Sequence, residues 1–134
     1  MKKIFYIILA VVLIFAAVEI FLFKKSENNQ QVIIDEPKAY GIVKSPLNFS
    51  GRAKGFWFFE ATAPAYVKNK SGDVIGQGQA RAEGEWMTAD YVKFSGTIEF
   101  KKPAEQEGFF VIAKDNPSGL PENNASIEIP VKFK

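Results

Sequence analysis

Two patterns of apolar and polar positions divide the chain. From Ile4 to Phe23 the sequence IFYIILAVVLIFAAVEIFLF is apolar everywhere except Glu19. At about 1.5 Å per residue a helix of this length measures about 30 Å, the hydrocarbon thickness of a bilayer, so the stretch predicts a transmembrane helix over 4–23. Beyond it the apolar positions recur with period two, the period of a strand with one wet face. In VKFSGTIEF, Val92, Phe94, Gly96, Ile98 and Phe100 share one face while Lys93, Ser95, Thr97 and Glu99 share the other. Ile127, Ile129, Val131 and Phe133 repeat the pattern.

Further strands are predicted at 41–44, 47–53, 65–68, 74–82 and 109–114, with 69–73 (NKSGD) as a hairpin turn. About seven short strands with no helical periodicity predict an all-β fold, an immunoglobulin-like antiparallel β-sandwich preceded by one N-terminal transmembrane helix. Pro130 lacks a backbone donor, which places the last strand at a sheet edge. Gly76, Gly78, Ala80 and Ala82 share a face; its small side chains leave room for the rings of Trp57, Phe58, Phe59 or Trp86. One long irregular segment remains, KDNPSGLPENNAS, where Pro117 and Gly119 suit a turn starting at Asn116. Leu120 is the apolar group available to pin this loop to the core, and loops of this length are functional or internally organised.

The apolar N-terminal run exceeds the core of a signal peptide and ends in EIFLFKK, without a small-residue cleavage site. It reads as an uncleaved signal anchor. Its short N-terminal tail fits an anchor that exports the rest of the chain, which makes this a single-pass protein of the cell membrane with its C-terminal domain extracytoplasmic. Glu19 reads as a carboxylate snorkelling toward Lys24 and Lys25. The organisation is an anchor over 1–25, a juxtamembrane linker over 26–37 and a sandwich domain over 38–134; Ile33, Ile34 and Tyr40 can already touch the domain from near Val32.

Charge changes the picture once it is divided by region. Setting aside Lys2, Lys3, Lys24 and Lys25 leaves 13 of 17 basic residues, and setting aside Glu19 leaves 14 of 15 acidic ones, so residues 26–134 carry about −1. The net +2 belongs to the membrane flank, and no basic face for nucleic acid is present. The chain has no cysteine and no histidine, so the domain is held by packing and lacks the commonest catalytic bases. No Ser-x-x-Lys occurs. A carboxylate pair for glycoside hydrolysis could be drawn from Glu60, Asp90, Asp115 and Glu122. Asp115, Asn116, Glu122, Asn123 and Asn124 offer oxygens to calcium but lack the spacing of a calcium loop, and turn formation explains them better. No catalysis, metal, cofactor or small-molecule substrate is expected.

Phe56, Trp57, Phe58 and Phe59 run directly into Glu60. On a strand, adjacent residues face opposite ways, so Phe56 and Phe58 would oppose Trp57 and Phe59, with at least one pair in the core. An unpaired carboxylate beside such a segment would be costly. Glu60 is therefore expected to accept hydrogen bonds from the Trp86 indole or from backbone N–H groups of 115–120, clasping that loop to the sandwich.

The segments SPLNFSGRAKGFWFFEATAP, GQGQARAEGEWMTADYVKFSGTIEF and KDNPSGLPENNASIEIPV resemble, in order, the immunoglobulin-like domain of bacterial spore germination, a module often joined to germination-type (GerMN) domains. The resemblance spans Ile42 to Phe133. It implies an immunoglobulin-like sandwich of the bacterial cell envelope, with no catalytic residues or cofactor to carry over. Lys54 and Phe56 stand where arginine and a small polar residue are common in that pattern, which marks Phe56 as the exposed member of the aromatic run. The expected function is a membrane-anchored, non-catalytic module that binds another envelope protein or a wall component. Its contact surface would be Phe56, Trp57, Glu60, Trp86 and the loop carrying Asp115, Asn116, Pro117, Leu120 and Pro121. The alternative is a structural spacer assembled into a membrane complex through its helix.

Overall fold

The computed structural model describes residues 1–27 and 30–134, with side chains described outside 19–29. The chain divides into two compact units, Met1–Gln30 and Gln31–Lys134. The first is a helix, α1 (Lys2–Glu27), whose large apolar side chains from Ile4 to Val18 are exposed. Among the described residues no helix is long and apolar enough to cross a membrane. The 4–23 window read as a membrane helix extends past the described side chains, and the expected snorkelling of Glu19 beside Lys24 and Lys25 lies outside them.

The second unit holds eight strands among the described residues: β1 (Val32–Glu36), β2 (Gly41–Val43), β3 (Leu47–Lys54), β4 (Thr62–Asn69), β5 (Val74–Ala82), β6 (Tyr91–Ile98), β7 (Glu107–Ala113) and β8 (Ser126–Phe133). The expected count of about seven omits β1, which falls inside the stretch read as linker. Val32 is fully buried, and the second compact unit begins at Gln31. The strands form one continuous sheet in the order β1-β3-β6-β5-β4-β7-β8-β2. All pairs are antiparallel except β2 with β8, which is parallel; the expectation of a purely antiparallel sandwich is corrected there.

The sheet curls so that its halves face each other. Phe49 on β3 and Phe110 on β7 are far apart in strand order, yet their ring centroids lie 5.0 Å apart. The chain splits its first extended segment between the halves, β1 joining β3 and β2 joining β8. This gives the last strand a neighbour on each side and corrects its expected edge position; β1 and β2 are the edges. The Pro130 carbonyl accepts the Tyr40 N–H at 2.7 Å. A residue's N and C=O point to the same side of an extended strand, so the missing donor falls where only the short β2 docks.

Between the halves lie Phe94, Phe110, Ile98 and Ile112, each fully buried, and each stabilises the fold by about 1.5–3 kcal/mol through removal from water. The small-residue face of β5 has a different use from the one expected. A Cβ at Gly76 would lie 2.7 Å from the Glu99 carbonyl oxygen and 2.8 Å from Phe100 Cβ, and one at Gly78 would lie 2.9 Å from the Thr97 oxygen. These glycines let β5 approach the chain at 97–100 closely, rather than seating rings of the 56–59 run. Ala80 and Ala82 do join the cluster that contains Trp57, Phe58 and Trp86.

Candidate functional site at the loop end of the domain

The strand directions bring three connections to one end: 55–61 between β3 and β4, 83–90 between β5 and β6, and 114–125 between β7 and β8. The domain also begins there, since Val32 pairs with Ala53 near the end of β3. The opposite end carries 44–46, 70–73 and 99–106.

β3 stops at Lys54 because Gly55–Trp57 winds into one turn of 3-10 helix. Gly55 is the residue that permits it: a Cβ there would lie 2.1 Å from the Thr88 oxygen and 2.3 Å from the Trp86 oxygen. Its N–H donates to the Asp90 carbonyl at 3.1 Å, joining the first connection to the second. The tight turn breaks the period-two rule expected for the aromatics. Consecutive Trp57 and Phe58 are both buried, at 3% and 4% exposure, while Phe56 and Phe59 remain 49% and 44% exposed. The Trp57 indole N–H donates to Gln31 Oε1 at 2.9 Å, and the Trp57 carbonyl accepts the Asp115 N–H at 3.0 Å. Trp57 therefore ties the start of the domain and the third connection to the first.

This replaces the clasp expected of Glu60. Glu60 and Ala61 have φ of 50° and 64° and form the tip of a two-residue turn, with Phe59 and Thr62 exchanging N–H to carbonyl bonds of 2.9 and 3.1 Å. Two central residues at positive φ are the signature of a tight hairpin whose twist matches the strands. The carboxylate is exposed on that tip, so it needs neither the Trp86 indole nor the loop N–H groups. Trp86 packs half-buried against the core.

The third connection organises itself through polar groups. The Gly119 N–H donates to the Asn116 carbonyl at 3.2 Å, closing the turn predicted around Pro117, with Gly119 at φ +68°. Asn116 Nδ2 donates to the Leu120 carbonyl at 2.8 Å and to Asn124 Oδ1 at 2.7 Å. Ser118 Oγ donates to Asn116 Oδ1 and accepts from the Leu120 N–H and from Asn123 Nδ2. Pro121 opens a second 3-10 turn, Pro121–Asn123. Leu120 does not pin the loop as expected; it is 49% exposed, because the asparagine and serine network already fixes the path. Asn116, Asn123 and Asn124, whose oxygens could have served calcium, are members of that network.

Sequence reasoning missed two exposed apolar residues at this end, Phe59 and Met87. The available signal for Met87 is EGEWMTAD, an apolar pair set between two strands in a run without strand periodicity. The four carboxylates eligible for hydrolysis all lie in these connections. Asp115 borders a cavity of about 260 Å³ whose other lining residues are Thr62, Pro64, Tyr66, Gln77, Gly78 and Gln79, none of them a second carboxylate.

The three loops contain six acids, Glu60, Glu83, Glu85, Asp90, Asp115 and Glu122, and one base, Lys114. Lys114 Nζ lies 5.5 Å from the centroid of the Phe56 ring, and Lys54 Nζ lies 4.0 Å from that of Tyr91. The loop end is thus an acidic surface set with exposed rings and methionine, supported on a buried tryptophan.

No curated protein and no solved structure gives a significant match to the chain. A family match covers residues 31–120, from the start of the second unit through the Asn116 turn. The matched stretch takes in β1 to β7 and the first two loop-end connections, and the chain belongs to that family, the immunoglobulin-like domain of bacterial spore germination.

Proposed function

We propose that this chain is a membrane-anchored, extracytoplasmic and non-catalytic immunoglobulin-like module that holds another envelope component through its loop end. The observation that carries the reading is the gathering of exposed Phe56, Phe59, Met87 and Leu120 on three hydrogen-bonded loops at one end of the domain. Exposed apolar groups concentrated on rigidly supported loops are the common form of a protein-binding surface. The family's domains are typically non-catalytic. The apolar run from Ile4 to Phe23 supports the anchor.

A photocrosslinking residue at Leu120, compared in cells with one at Val74 on the opposite end, tests the contact surface. Discrete crosslinked products are expected from position 120 alone. Equal products from both positions, or none from 120, would overturn the reading. The exposed apolar helix favours one alternative, a spacer subunit assembled through α1. In that case exchanging α1 for an unrelated anchor abolishes assembly while loop substitutions do not.

A further inference from the structure

We infer that the occupant of the loop end is a cationic segment of another protein, one in which lysine or arginine flanks apolar anchors. The inference deepens the proposed function and rests on the loop end being the contact surface. Two observations choose this partner.

The apolar contacts, Phe56, Phe59, Met87 and Leu120, sit among six carboxylates. The ion pairs of the described domain, Arg52 with Asp35, Lys68 with Glu128 and Lys70 with Glu107, involve none of the six. The loops therefore present uncompensated negative charge to whatever covers the rings, and a basic partner is the complementary one. Secondly, the rings at this end already receive cations, Lys114 over Phe56 and Lys54 over Tyr91, so a partner's lysine or arginine meets both carboxylates and aromatic faces. The same acids exclude the lipid surface as the occupant, because anionic headgroups repel them.

The test uses the full chain in phosphatidylcholine nanodiscs and a fluorescein-labelled Lys-Leu-Lys-Leu-Lys-Leu peptide, with a Glu-Leu counterpart, read by anisotropy against empty discs. The Lys-Leu peptide is expected to bind at least tenfold more tightly than the Glu-Leu peptide. Glu83→Lys with Glu85→Lys should weaken it about tenfold and Met87→Ser with Phe56→Ser about fivefold. Lys101→Glu with Lys102→Glu, at the other end, should leave it unchanged.

Tighter binding of the Glu-Leu peptide, still sensitive to Met87→Ser, keeps the loop end as a contact surface and overturns the cationic partner. No binding of either peptide, or binding indifferent to the apolar pair, also overturns it. Met87→Cys, labelled with NBD in a chain that has no other cysteine, reads the lipid alternative. A blue shift on moving to phosphatidylglycerol discs without peptide would show insertion into lipid and overturn the inference. A chain that stays out of the discs removes the anchor; the peptide is then titrated into that free chain, and the same comparison decides the partner's charge.

Discussion

The two ends of the domain are built from the same kinds of connection and differ in what they expose. At the loop end the connections 55–61, 83–90 and 114–125 carry six acids against one base. At the opposite end, 44–46, 70–73 and 99–106 carry Lys44, Lys70, Lys101 and Lys102 against Asp73, Glu99 and Glu105. A domain close to neutral overall is thus polarised along its length. At the loop end Trp57 and Gly55 tie all three connections together. At the opposite end the Phe100 N–H donates to Ser45 Oγ at 2.9 Å, joining two connections, while the 69–73 hairpin is held locally, Asn69 Oδ1 accepting the Asp73 N–H at 2.9 Å. Shared supports hold the three loops in one arrangement, which suits a surface that must present a fixed set of contacts.

The largest effect is expected where the cross-tie is cut. Trp57→Ala removes a side chain only 3% exposed and the indole bond to Gln31. It should cost about 3–5 kcal/mol, the usual range for a buried aromatic. Phe56→Ala, one residue away and half exposed, should stay within about 0.5 kcal/mol. Urea unfolding followed by the fluorescence of Trp86, present in both variants, checks the pair. Similar costs for the two would mean that Phe56 is packed as Trp57 is, and would overturn the turn geometry that exposes it.

That contrast also marks what the residues disclose in advance. Strand positions from β3 to β8 are readable because apolar groups alternate, and the Asn116 turn is readable because proline and glycine restrict φ. The aromatic run misleads because its local geometry is decided by Gly55, and Gly55 is required by carbonyls of residues 86 and 88, some thirty positions later in sequence. β1 is hidden for a related reason. Its five residues, VIIDE, show little alternation, and only pairing with β3 defines them. The end at which the candidate site sits depends on strand direction, which periodicity does not contain. The loop's composition is legible, but its internal network depends on which asparagine faces which, and that is a tertiary property.

A smaller effect separates the two asparagine-centred turns. Asn116 donates to both the Leu120 carbonyl and Asn124 and accepts from Ser118, all within one loop. Asn116→Ala should cost about 1–2 kcal/mol, consistent with several solvent-accessible hydrogen bonds lost together. It should also make 114–125 the first site of limited proteolysis. Asn69→Ala, at the other end, removes two bonds to Asp73 and should cost about 1 kcal/mol without opening the loop end. Protease mapping of both variants distinguishes a loop held by its own network from one held by the core.

The smallest effect has the opposite sign and comes from the two tight hairpins. At the far end the turn residue with positive φ is Gly72, at +90° with nothing within 4 Å of a Cβ, so the backbone is relaxed. At the loop end the equivalent strain falls on Glu60 and Ala61, at +50° and +64°, where a side chain costs about 1–2 kcal/mol per residue. Ala61→Gly relieves that strain but adds the entropy of a freer unfolded chain, about 0.5–1 kcal/mol. The net expectation is a gain of about 0.5–1 kcal/mol in urea unfolding, against a loss of about 1 kcal/mol for Gly72→Ala. Non-glycine residues persist in such a turn when surrounding structure fixes them, and here Phe59 and Thr62 close the ladder on both sides. The strained turn holds Phe59 at the surface with less backbone freedom than glycine would give it. Ala61→Gly should therefore stabilise the domain while weakening binding of the Lys-Leu peptide, and a variant that gains in both would remove the turn from the contact surface.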